Sequence, residues 1–249
     1  MIKAENLTKI YENGFKAVNN LDLSIDKGDI FGFLGPNGSG KTTTIRMLNG
    51  LYKPTSGKIF INGIDLSKDP TEVKKIIGVL PELHGYYRWM TGEEYLMYFG
   101  RLYKQNEKEL KNHVRELIES VGLSEKSHFK IGNFSTGMKQ RLGIAKTLIN
   151  NPKIIFLDEP TLGLDPSGQR EIQKLILDLN KKRNVTVFIT SHLLKDIEVL
   201  CNKVAIFQNG VMLEQGGIKE LLNKYSNDSG KVTIEDIFFR LTERNLEVV

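Results

Sequence analysis

The spacing of apolar positions changes repeatedly along this chain, and each change marks an element. Residues 2–11, 21–25, 30–34 and 58–61 carry apolar side chains in short runs of strand length, the last closed by the turn pair Asn62-Gly63. After the run at 30–34 comes a glycine-rich loop, and residues 43–51 read as the start of a helix. From 92 to 121 the period lengthens to that of a helix, with Tyr95, Phe99 and Leu102 on one face and Leu110, Val114, Leu117 and Val121 on the next. Two runs, 154–157 and 185–189, are apolar but for Thr186 and end in polar or acidic residues. Strands covered on both faces read that way, so central parallel strands are expected here, with a crossover helix at 166–181. Beyond Gly216-Gly217 the pattern predicts a helix at 218–225, a polar break at 226–230 and a second helix opened by a capping box, Thr233-Ile234-Glu235-Asp236. The expected fold is α/β: a parallel-sheet core with a β-rich N-terminal flank and a helical lobe inserted at about residues 83–135. The core is expected to run over residues 1–217, with 218–249 as a helical appendage.

Composition narrows the class. A chain of 249 residues with 40% hydrophobic content can bury a sizeable core, as one large α/β domain or one domain with an inserted lobe. No uncharged apolar run approaches the roughly 18 residues that span a bilayer, and the N-terminus lacks an apolar signal core, so a soluble cytoplasmic protein is expected. Cys201 is the sole cysteine, which excludes an intramolecular disulfide, and no Cys/His group has zinc-ligand spacing. The net charge of +5 comes from 35 basic and 30 acidic residues interspersed along the chain. That is a mixed solvated surface, without the basic block of a nucleic-acid-binding arm, and it is compatible with weak attraction to an anionic membrane.

The densest chemical signal is Gly35-Pro36-Asn37-Gly38-Ser39-Gly40-Lys41-Thr42-Thr43, which fits G-x-x-x-x-G-K-[ST] and lies between a buried-strand pattern and a helical one. Glycines let the backbone wrap phosphate without Cβ clashes, and the helix start offers free N–H groups and a positive dipole end. Lys41 would reach the β- and γ-phosphates, and the Thr42 hydroxyl would ligate Mg²⁺. Asp158 and Glu159 end the apolar run at 154–157, which puts two carboxylates at the carboxyl end of a strand, where α/β sheets bind ligands. One would hold Mg²⁺, directly or through water, and the next would accept a proton from water attacking the γ-phosphate. The other apolar run ends in Thr190-Ser191-His192, so His192 would project from the same sheet edge as a γ-phosphate sensor.

With these motifs the chain resembles the ABC-type ATPases, the nucleotide-binding subunits of ATP-binding-cassette transporters, over nearly its whole length. The family's signature element matches Phe134-Ser135-Thr136-Gly137-Met138-Lys139-Gln140-Arg141, its D-loop matches Gly163-Leu164-Asp165-Pro166, and its switch histidine matches His192. Tyr11 matches the aromatic that stacks on adenine, with Val18 beside the base. The resemblance implies that residues 1–217 form an ABC ATPase domain binding ATP and Mg²⁺. Asn37, Gly38, Ser39, Gly40, Lys41, Thr42 and Thr43 would hold the phosphates, Thr42, Asp158 and Glu82 would serve the metal, and Glu159, His192 and Lys41 would serve catalysis. It further implies that ATP lies between the phosphate loop of one subunit and Ser135 to Gly137 of another. The active unit is then a homodimer, or a dimer with a related ATPase, whose ATP-driven closure powers a separate transmembrane permease from the cytoplasmic side of the membrane.

Two departures refine the resemblance. Most members have glutamine where this chain reads Leu80-Pro81-Glu82; a carboxylate can bind Mg²⁺ but, when ionised, cannot donate to water. The signature carries Thr136 and Met138 where Gly and Gln are usual, while Ser135 is placed to cap an anion-attracting helix and Gly137 remains. Both departures, and the terminal helix, resemble exporters of drugs, antimicrobial peptides or sodium whose ATPase is a separate chain. An alternative is a nucleotide-switched regulatory module of the same fold, acting on a membrane partner without moving solute. A DNA-maintenance ATPase fits less well, since the stretch from Glu82 to Ser135 has no room for a long coiled coil. Met90, Met97 and Met138 read as core or interface filler, His113 and His128 as solvated, and Cys201 as a packed apolar residue. The cluster Tyr86-Tyr87-Arg88-Trp89 reads either as lobe packing or as contact with a membrane partner.

Overall fold

The computed structural model describes residues 1–83, 85–226 and 232–244. In chain order the elements are β1 (Ile2–Ile10), β2 (Lys16–Ile25), β3 (Ile30–Leu34), α1 (Lys41–Leu48), β4 (Ser56–Ile61), β5 (Ile64–Asp65), α2 (Pro70–Ile76) and β6 (Ile77–Leu80). Then follow α3 (Gly92–Leu102), α4 (Glu107–Ser120), α5 (Thr136–Leu148), β7 (Ile154–Asp158), α6 (Pro166–Arg183), β8 (Thr186–Ser191) and α7 (Leu194–Leu200). β9 (Lys203–Gln208), β10 (Val211–Gly217), α8 (Ile218–Tyr225) and α9 (Ile234–Arg244) complete the order. The chain divides into two compact units, Met1–Val73 with Thr186–Val249, and Lys74–Val185.

The first unit holds an antiparallel sheet in the order β2-β1-β4-β5. Alternation drives it: Ile2, Ala4 and Leu7 of β1 and Leu21, Leu23 and Ile25 of β2 are buried while intervening polar residues face out. β2 begins at Lys16, five residues before the apolar run at 21–25, because pairing with β1 carries it through Asn19 and Asn20, with Asn20 in the left-handed region (φ 51°). Asn62 and Gly63 both have positive φ, as a two-residue hairpin between β4 and β5 requires. The unit's other strands run β10-β9-β3-β8, with β3 parallel to both β8 and β9, and β10 antiparallel to β9. Every residue of β3 and of β8 is buried, which accounts for the apolar sequence of β3 and the apolar centre of β8, where Thr186, Thr190 and Ser191 are buried as well. α8 matches the expected span, and α9 opens on a reciprocal cap in which Asp236 accepts from the Thr233 N–H (2.8 Å) and Thr233 Oγ1 from the Asp236 N–H (3.1 Å). The expected polar break at 226–230 lies, past Ser226, outside the described residues.

In the second unit β6 and β7 pair in parallel, from Ile77 opposite Ile154 to Leu80 opposite Leu157. Four of the helices here start on side-chain caps: Thr91 with Glu94 on α3, Asn106 on α4, Ser135 on α5 and Asp165 on α6. α6 starts on Asp165 with Pro166 at its first position, and Asn184 ends it in the left-handed conformation. Leu110, Val114, Leu117 and Val121 are buried as the helical period predicts. Leu102 is not: at the last position of α3 it is 59% exposed. His113 also departs from expectation, since its Nε2 is buried without a hydrogen-bond partner among the described residues. It stands next to the Leu110–Val114–Leu117 stripe on α4, and that position outweighs its charged sequence neighbours.

Candidate active site

In the first unit β3 runs straight into the glycine loop, and Gly40, at φ 109°, makes Lys41 the first residue of α1, two positions before the expected helix start. The loop has no room for side chains at two of its three glycines: a Cβ on Gly35 would fall 2.2 Å from the Phe207 carbonyl oxygen, and one on Gly40 would fall 2.3 Å from that of Ala17. Asn37 and Gly38 are exposed, and the N–H groups that open α1 follow directly. No acidic residue stands in the first turn of α1, so its positive end is not neutralised from within. Lys41 is buried, with its ammonium donating to the carbonyls of Gly35 (2.6 Å) and Pro36 (3.1 Å). The charge is thus held against the loop it would serve. Ser39 Oγ is buried without a hydrogen-bond partner among the described residues.

Tyr11 closes β1 and reaches this loop, its hydroxyl 3.0 Å from Thr43 Oγ1 and its ring edge-on to Tyr52. Thr42 and Thr43 are half-buried. Val18 is fully buried in β2, beneath rather than on the surface. Parallel register sets Leu34 opposite Ser191, so Gly35 and His192 leave the same strand edge side by side, with His192 exposed.

In the second unit the register of β6 and β7 sets Leu80 opposite Leu157, so Pro81-Glu82 emerges beside Asp158-Glu159. Asp158 and Glu159 are both buried, whereas Glu82 is exposed. Glu159 has φ 52°, a left-handed backbone that a glutamate adopts at a cost on the order of 1–3 kcal/mol. Such strain persists only where the surrounding structure over-determines the conformation. Ser135 Oγ accepts from the Met138 N–H (3.2 Å), and the first turn of α5 also contains no acid. Gly137 lies within that turn, and a Cβ there would meet nothing closer than 3.9 Å. Among the described residues nothing requires a glycine at that position.

Sequence reasoning left Tyr86 to Trp89 open between two roles, and the geometry divides the segment. The Tyr86 hydroxyl donates to the Lys139 carbonyl in α5, and burial pushes its pKa far above the usual tyrosine value. Tyr95, 5.4 Å away ring to ring, is pushed up to about 12 by burial, so both rings stay neutral. The carbonyls of Arg88 and Met90 accept from the N–H groups of Gly132 (2.9 Å) and Ile131 (2.8 Å). Trp89 lies between those two anchors and is 66% exposed. The segment after Glu82 is therefore laced to the stretch that leads into Ser135. Of the remaining residues, Met97 and Cys201 are buried and His128 exposed, as expected.

Sequence reasoning did not pick out the turn between β9 and β10, although Asn209-Gly210 is a hairpin dipeptide and would have marked it. The Gly210 N–H donates to the Ser39 carbonyl (2.9 Å), and Phe207 packs behind Gly35 and Gly40.

Residues 18–162, more than half of the chain, match the family described as ABC transporter. Over its whole length the chain is 42% identical to the bacitracin transport ATP-binding protein BcrA of Bacillus licheniformis, 78% of which is covered. Over 92% of its length it is 37% identical to the linearmycin resistance ATP-binding protein LnrL of Bacillus subtilis (strain 168), 73% of which is covered. Among solved structures it resembles the ATP-binding cassette MJ0796, in a dimeric post-hydrolysis state bound to ADP and Pi. The TM-score is 0.78 at 26% identity, covering 87% of this chain and 98% of that one.

Proposed function

This chain belongs to the ABC transporter family as an ATP-binding, ATP-hydrolysing subunit, and on that premise we propose that it powers an exporter by ATP-driven closure of a dimer. The observation that supports the dimer most directly is Gly137. A glycine in a helical first turn costs stability relative to alanine, yet no neighbour among the described residues would obstruct a side chain there. The space is kept for something outside the chain, and the phosphates of ATP held by a second subunit fit it. Ser135 and the opening N–H groups of α5 then act as anion donors across the dimer.

Within this reading Lys41 and the loop's backbone N–H groups bind the β- and γ-phosphates, Tyr11 stacks on the base over Val18, and His192 hydrogen-bonds the γ-phosphate. Glu159 accepts a proton from the attacking water. The oxygen donors Thr42, Asp158 and Glu82 suit Mg²⁺, which typically takes one or two carboxylates and completes its shell with substrate phosphate and water. In keeping with such a site, no group of three or more His, Cys, Asp or Glu among the described residues could hold a metal alone. When bound, the ion neutralises charge on the β- and γ-phosphates. Replacing Tyr11 with Ala should weaken ATP and GTP binding similarly, by about 1–3 kcal/mol in a titration calorimeter. Full affinity in the variant would return Tyr11 to a strand-end role.

The membrane-facing part of the proposal rests on Trp89. No helix among the described residues is long and apolar enough to cross a membrane. In this reading the chain works with a separate transmembrane subunit, on its cytoplasmic face. A surface depression lined by Trp89, Met90, Glu94, Met97, Tyr98 and Arg101 combines an aromatic anchor with charged edges, as protein interfaces do. The names of the two relatives, one for bacitracin transport and one for linearmycin resistance, support compounds of that kind as cargo. Trp89→Ala should leave the melting temperature and basal hydrolysis close to the parent's, because the ring is exposed, while removing about 2 kcal/mol or more from partner binding. A variant that melts lower and still couples normally to its co-purified permease would sink the interface assignment.

A further inference from the structure

The C-terminal helix α9 has no part in the chemistry above, yet it touches two elements that lead into the nucleotide site. Its N-terminal end is pinned to α7: Glu198 Oε1 accepts from the Ile234 N–H (2.7 Å), and Ile234 and Ile237 are fully buried. α7 begins two residues after His192. Near its other end, the Thr242 carbonyl accepts a hydrogen bond from Gln208 Nε2 at 3.4 Å.

Gln208 is the last residue of β9, between Phe207, which backs Gly35 and Gly40, and the Asn209-Gly210 turn, whose N–H holds the Ser39 carbonyl. Loop and turn are joined by that hydrogen bond and by close packing, since a Cβ at Gly40 would lie 2.9 Å from the Phe207 ring. Gln208 is itself 8% exposed, and its Oε1 is buried without a partner among the described residues. As packing, this is a poor choice, since a leucine of similar size would avoid burying an unsatisfied carbonyl. The amide is retained where it joins α9 to the back of the phosphate loop.

We propose that α9 is a positioning element for ATP binding, acting on the phosphate loop through Gln208. The proposal rests on residues 35–43 being the nucleotide site. Docked, α9 holds the turn between β9 and β10 in the register that presents Ser39 and Gly40 to phosphate; displaced, it leaves the loop free to relax. The contact thereby makes nucleotide affinity depend on the far end of the chain.

The deciding variant is Gln208→Leu in the full chain. Its melting temperature should equal or exceed the parent's, because a buried unsatisfied group is removed, while Mg-ATP binds about fivefold more weakly by calorimetry. General loss of structure would lower both together. Ile237→Asp, which places a charge under α9, should show a similar loss of affinity, and the double variant should lose no more than the worse single one. Parent-like Mg-ATP affinity in Gln208→Leu overturns the proposal, as do losses that add in the double variant. Should Ile237→Asp fail to fold, Gln208→Leu decides alone. Lys41→Ala in the same titration keeps the two readings apart. If it binds poorly while Gln208→Leu binds normally, only the role of α9 falls; if it binds normally, the nucleotide-site reading falls.

Discussion

Glu159→Gln should bind Mg-ATP as the parent does and hydrolyse it roughly 10²- to 10⁴-fold more slowly, the usual contribution of a positioned general base. The amide keeps the shape and hydrogen-bonding reach of the carboxylate but cannot take a proton from water. Its backbone setting sharpens the test, because the left-handed φ of 52° is equally costly for Glu and Gln, so the substitution leaves strain unchanged. With hydrolysis blocked, closed dimers should accumulate in ATP, seen as a shift to twice the mass on gel filtration. Phosphate release at the parent's rate would remove Glu159 from the reaction, and a monomer at saturating ATP in the presence of the membrane partner would count against dimer closure.

The second large effect is expected from Lys41→Ala. Lys41 is the only cation within the glycine motif, and its ammonium is buried against the loop carbonyls. Without it, the phosphates are met by neutral N–H donors alone. Charge-assisted hydrogen bonds are worth about 1.5–3 kcal/mol each, so loss of two should weaken Mg-ATP binding roughly a hundredfold or more. Calorimetry on a variant shown to be folded by its melting curve measures this directly. Unchanged affinity would mean that the loop does not serve phosphate.

What the sequence disclosed and what it withheld divide along a physical line. The glycine loop was legible because its requirements are local: Gly40 needs φ near 109°, Lys41 follows at once, and a strand precedes. The place of Asp158 and Glu159 was legible for the same reason, since an unbroken apolar run ends where they begin. The signature and D-loop came from resemblance, and the caps at Ser135 and Asp165 agree with it. Helix period predicted Leu110, Val114 and Leu117 correctly but failed at Leu102, because period says which face a residue shares and not whether a neighbour covers the helix end. The hold of Gly210 on Ser39, and of Gln208 on Thr242, joins segments far apart in the chain, and no local pattern encodes such pairs. The fastening of Tyr86 to α5 was hidden in the same way.

Trp89 is the chain's single tryptophan, and it stands in solvent at the surface assigned to the permease. Indole emission shifts to shorter wavelength when water leaves the ring, so the unlabelled protein carries its own optical reporter at the place where coupling is expected. Docking onto the permease should blue-shift that signal, and an added collisional quencher should then lose access to it. Because every photon excited selectively from indole comes from this one side chain, the spectrum would time the arrival of the partner separately from the arrival of ATP.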